Sequence, residues 1–181
     1  PAGIATTALY YAVNKVIRHS RGYLWSSFWH SFKTNMKQGA FVTLVVAAAV
    51  VLVGLDGYIM YQFAKAGEKS GVLYVVFFVL MLVVIAWAIY VFPYMARFEN
   101  STKLILKNSA LMAIGNLPKT FMALMFFLAC CIGTYLLPVV AIISPALGML
   151  LLNYILEGVF ERYMSDEDRE AENERNQEFY N

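Results

Sequence analysis

Glu157 and Arg97 are the residues of this chain best placed to do chemistry in an apolar setting, because each is ionisable and each ends a long hydrophobic run. Asn153, Glu157 and Glu161 recur at i, i+4 and i+8, which lines them up as one ridge along a helix. An ionisable group inside a membrane segment is costly and is a functional candidate by default. Three readings suit the ridge: an internal ion pair of Glu157 with Arg97, contact with a partner subunit, or proton or ion coupling. Asp56, flanked by Gly54 and Gly57, is a further intramembrane carboxylate. It reads either as a solvated group near the outer end of its run or as a ligand for an ion or substrate.

Little else is reactive. Cys130 and Cys131 are neighbours inside an apolar run, where adjacent cysteines seldom bridge, and they read as small packing residues. His19 and His30 have no Cys or carboxylate at ligand spacing, so no metal site is expected. No P-loop, nucleophile elbow, zinc box or paired-carboxylate site occurs. The expectation is a chain without catalytic residues, cofactor or metal, with no direct small-molecule ligand and no nucleic-acid partner.

The elements that must position these groups are long and apolar. The runs Gly39–Gln62, Gly71–Tyr94, Phe121–Leu137 and Ile142–Phe160 each approach the ~20 residues that a helix needs to cross ~30 Å of hydrocarbon. The 181 residues are 60% hydrophobic and 14% charged, which excludes most soluble enzyme folds and leaves room for one bundle. The fold expected is all-α: a polytopic membrane bundle of four spans with added interfacial helices. Pro93 is expected to bend the second span, and Pro138 and Pro145 to bracket the turn between the last two. The chain opens Pro1-Ala2-Gly3 without an initiator Met, so a longer native chain is expected.

Loop charge orients the bundle. Lys15, Arg18, Arg21, Lys33 and Lys37 precede the first span without an acid, and Arg97, Lys103, Lys107 and Lys119 follow the second against Glu99. The outer loops have Lys65 and Lys69 as their only basic residues. By the positive-inside rule, residues 1–38, the 97–119 connection and the tail are expected in the bacterial cytoplasm. The divisions are 1–38, amphipathic helices at the interface; 39–163, the spans with a cytoplasmic helix over 101–116; and 164–181, an acidic tail.

Two stretches before the first span have helical period. Thr6–His19 sets Leu9, Ala12, Val13, Val16 and Ile17 opposite Asn14, Lys15 and Arg18. In Tyr23–Lys37 the face of Leu24, Trp25, Phe28, Trp29, Phe32 and Met36 opposes Ser26, Ser27, His30, Lys33, Thr34 and Lys37. The Trp25/Phe28/Trp29/Phe32 face suits a helix lying against lipid or the bundle, or one that docks another membrane subunit. Ser101–Asn116 spreads its apolar residues around the helix and is expected to pack on neighbours all round.

Several motifs recur together: Pro1-Ala2 with Thr6-Thr7-Ala8-Leu9-Tyr10-Tyr11 and Lys15; Gly22-Tyr23 with Phe28-Trp29, Phe32-Lys33, Asn35 and Lys37-Gln38; Phe92-Pro93 with Ala96-Arg97-Phe98; and Asn116-Leu117-Pro118-Lys119-Thr120. In this order they resemble the YesL-like bacterial membrane proteins, over nearly the whole chain to about Arg162. The resemblance implies a further span before Pro1, making five, and an association with carbohydrate ABC importers. It supplies no catalytic residues. The function expected is a non-catalytic accessory subunit of such an importer, contacting the lipid bilayer and the permease and ATPase subunits. The alternatives are a self-contained small-solute transporter or channel, and a membrane scaffold for a sensor kinase.

Overall fold

The computed structural model describes residues 2–18, 23–98, 100–137, 140–166 and 169–170. His19, Glu99, Pro138 and most of the acidic tail lie outside them. The described residues form an all-helical bundle with no strand: α1 Ala2–Val13, extended by a π turn Asn14–Arg18, then α2 Leu24–Thr34, α3 Met36–Lys65, α4 Tyr74–Arg97, α5 Thr102–Gly115, α6 Leu117–Leu136 and α7 Val140–Tyr163. Among them, α3, α4 with its preceding 3-10 turn, and α6 are long and apolar enough to cross a membrane. α3, at 30 residues, reaches ~45 Å. α7 covers the fourth apolar run in 24 residues and contains Pro145, which therefore lies inside the helix and not at the edge of a turn. The protein is a polytopic membrane helical bundle.

Two hairpins, α3–α4 and α6–α7, form the frame. The first closes on a sharp turn. Gly67 holds φ +79, and the N–H groups of Gly67 and Glu68 return to the carbonyls of Ala64 and Phe63. That pair of bonds satisfies the last carbonyls of α3 with a glycine at the left-handed position. At Gly71 a Cβ would collide with the Ala64 backbone, so the turn lies directly on the helix end.

The core lies at one end only. Its buried residues are Tyr10 on α1, Val42 and Val46 on α3, Ile89–Val91 and Tyr94–Met95 on α4 with Phe98 after it, Ile105, Met112 and Ala113 on α5, Ala123 on α6, and Leu152, Leu156, Val159 and Phe160 on α7. All sit in the half that carries Lys37, Arg97 and Lys119, termed here the basic end. Outward of Ala86, α4 buries side chains only partially, with Val75, Val76, Phe78, Val79, Leu80 and Val83 exposed. Among the described residues, the core shared by the two hairpins lies at the basic end.

Two elements differ from the sequence expectation. α1 has no free polar face. No side chain from Gly3 to Val16 is exposed, and the helix packs on α2, α3, α4 and α7. Its alanines Ala8 and Ala12 are fully buried, letting neighbouring backbones approach closely. α5 is one-sided: Ile105, Ser109 and Met112 are buried, whereas Leu104, Leu111 and Ile114 are exposed. It is fastened to α4 by Trp87 Nε1, which donates to Leu106 O and Ser109 Oγ, and by Tyr94 Oη, which accepts from Asn108 Nδ2.

Candidate functional site

Phe160 fills the centre of the basic end, with Tyr10, Tyr90, Tyr94 and Phe98 arranged edge-on around it at 5.8–6.5 Å between ring centroids. One turn earlier on α7, Glu157 points into the same core and is completely buried. Arg97, in the last turn of α4, places Nε 3.3 Å from Glu157 Oε2. From α1, Tyr10 Oη donates to Glu157 Oε1 at 3.1 Å, and Asn14 Nδ2 donates to the same oxygen. A buried carboxylate needs both a counter-charge and hydrogen bonds, and three helices supply them here. Asn153, one turn further along the ridge, is buried with its Nδ2 unpartnered.

The ridge residues divide by position. Asn153 and Glu157 enter the core, whereas Glu161 is exposed. Asp56 joins none of this. It is exposed on α3, 14 residues beyond buried Val42, or ~21 Å along the helix. Tyr10 and Asn14 were not anticipated. Asn14 was assigned to the solvent side with Lys15, but α1 has neighbours on every side.

A second polar cluster explains the Asn116–Thr120 motif. Asn116 Nδ2 caps the Met112 carbonyl, and Thr120 Oγ1 lies within bonding distance of Ala113 O, Asn116 O and Tyr90 Oη. A bend between α5 and α6 frees carbonyls in an apolar setting, and these side chains satisfy them. The motif is structural.

α2 meets its neighbours along a narrow seam, with Phe28 and Phe32 half-buried and Ser26, His30, Lys33 and Thr34 exposed. Ser27 and Ser31 are buried, while Trp25 is 71% exposed and Trp29 41% exposed. Trp25, Phe28, Trp29 and Phe32 touch in sequence, with ring centroids 5.6–6.2 Å apart. Small hydroxylated residues permit close helix contact, and burying them turns Trp25 and Trp29 outward. Among the described residues no group of His, Cys, Asp and Glu could hold a metal ion.

Fold and site together define a membrane bundle braced by a buried ion pair and presenting an aromatic ladder on a peripheral helix. A family model described as "Protein of unknown function, DUF624" matches residues 1–57, which comprise α1, α2 and most of α3. That stretch contains Tyr10, Asn14 and the ladder but neither Arg97 nor Glu157. Comparison with curated proteins and with solved structures finds no match.

Proposed function

We propose that this protein is a non-catalytic accessory subunit of a membrane transport complex, docking on a carbohydrate ABC permease through Trp25, Phe28, Trp29 and Phe32. The observation that carries this reading is the orientation of α2, with Ser27 and Ser31 inward and the Trp25 and Trp29 rings exposed. Contiguous exposed aromatic surface marks an interaction site, and Trp is the residue type most enriched among those that dominate binding energy. The motif resemblance to YesL-like proteins supports the importer as partner, and the DUF624 match over residues 1–57 supports the resemblance. Loop charge supports a cytoplasmic basic end, which sets α2 on the side where an importer's ATPase sits.

The test is a mild-detergent pull-down of the full-length protein from its native membrane, with mass spectrometry of what accompanies it. Permease and ATPase at near-stoichiometric yield, lost from a Trp25→Ala/Trp29→Ala variant, is the expected result. A solitary wild-type protein under the same conditions overturns the reading.

A further inference from the structure

α5 leaves one face uncovered by protein. Lys103, Leu104, Lys107, Leu111 and Ile114 are all exposed, and they fall within an arc of about 100° at 3.6 residues per turn. The opposite side is pinned to α4 through Trp87 Nε1, which reaches Leu106 O and Ser109 Oγ. Trp87 lies ten residues before Arg97, ~15 Å along the helix. α5 therefore lies along the flank of a spanning helix instead of projecting from its end.

The uncovered face adjoins apolar surface. Past the bend at Asn116, Leu117, Phe121 and Met122 are exposed on α6, which is long and apolar enough to cross a membrane. Ile114, three residues before Leu117 and 65% exposed, and Leu111, 57% exposed, lead that surface back onto α5. The two lysines occupy the other half of the face, and α5 contains no Asp or Glu. The exposed or undescribed acids of this end are Glu99, outside the described residues, Glu161, exposed on α7, and those of the tail. None of them stands on α5.

Aliphatic residues beside ammonium groups on long stems suit headgroup depth, where the stems lie on acyl chains and the charges reach phosphate. A protein partner would ask for other residue types. Protein interfaces are enriched in aromatic residues and Arg and depleted in Lys. The α5 face has two Lys and no aromatic residue or Arg, the reverse of the α2 ladder.

We infer that the α5 face seats in the lipid headgroup region and selects anionic phospholipid, with Lys103 and Lys107 meeting phosphate and Leu111 and Ile114 lying among the upper acyl chains. The inference does not rest on the α2 docking reading. Lipid retention is measured on the purified full chain alone, so either result can stand while the other falls.

The experiment places the full chain in nanodiscs of equal parts phosphatidylglycerol and phosphatidylcholine, and native mass spectrometry counts the lipids of each class that stay bound. Expected is preferential retention of phosphatidylglycerol. Lys103→Gln/Lys107→Gln lowers that preference by about fivefold or more, and Lys103→Arg/Lys107→Arg keeps it. Lys33→Gln/Lys37→Gln, at exposed positions at the same end but on α2 and α3, lowers it less. Thermal unfolding in phosphatidylcholine nanodiscs verifies that each variant keeps the bundle intact. Equal retention of both lipids by the wild type, an unchanged preference in the folded Gln variant of α5, the same loss with Arg, or an equal or larger loss in the Lys33/Lys37 variant overturns the inference.

Discussion

Tyr10 Oη lies 3.1 Å from Glu157 Oε1, although 147 residues separate the two in sequence. The contact joins the first described helix to the last, at the same carboxylate that meets Arg97 from α4. One buried oxygen pair thus couples three elements that share no local sequence pattern. Removing that carboxylate exposes the cost of each neighbour.

Glu157→Leu leaves Arg97 charged in a site where its side chain is 11% exposed. Breaking a buried pair on one side costs about 3–5 kcal/mol, whereas replacing both partners with apolar residues is close to neutral. Chemical denaturation in detergent is expected to show Glu157→Leu strongly destabilised and Arg97→Met/Glu157→Leu largely recovered. Additive losses would contradict the pairing.

Thr120→Val deletes the hydroxyl shared by Tyr90 Oη and two carbonyls at the α5–α6 bend. With those groups buried and unpaired, the expected loss is about 1–3 kcal/mol. Thr120→Ser keeps the hydroxyl and is expected to retain most of the stability in the same denaturation measurement.

Gly67→Ala forces a Cβ onto a residue with φ +79, although nothing crowds that position. The penalty is conformational, about 1 kcal/mol, and the unfolding midpoint falls accordingly. Gly148→Ala, also uncrowded, has no positive φ to oppose it and serves as the control.

Burial lowers the pKa of Lys15 below its ordinary 10.5. The folded chain therefore releases this proton at a lower pH than the unfolded chain does. Folding is penalised while both forms carry the charge, and stability rises with pH between the lowered value and 10.5. The difference in unfolding temperature between wild type and Lys15→Met is expected to shrink across that window, with Lys15→Met the more stable at neutral pH.

Periodicity made the Asn153/Glu157/Glu161 ridge visible, and hydropathy marked the long helices, because both signals are local. The structure sets Arg97 beside Glu157, yet Tyr10 and Asn14 carry no local mark of their role. A one-sided pattern assigned Asn14 to solvent, and only the burial of α1 by four neighbours reverses that. The same holds for α2. Its sequence fixes where the aromatic stripe runs, but not which side meets protein, since in a membrane protein either face can be outermost. In α5 the even spread of apolar residues concealed that Ile105, Ser109, Met112 and Ala113 face inward. The bend at Asn116 was legible as a motif, and its hydrogen bonds supply the reason.

Among the described residues the shared core lies at the basic end, so the two ends of the bundle have different surroundings. Among those residues, no buried core side chain of α4 lies outward of Ala86, so the apolar side chains there meet the surrounding hydrocarbon. The outer half is thus solvated by acyl chains, and the half around Glu157 by protein.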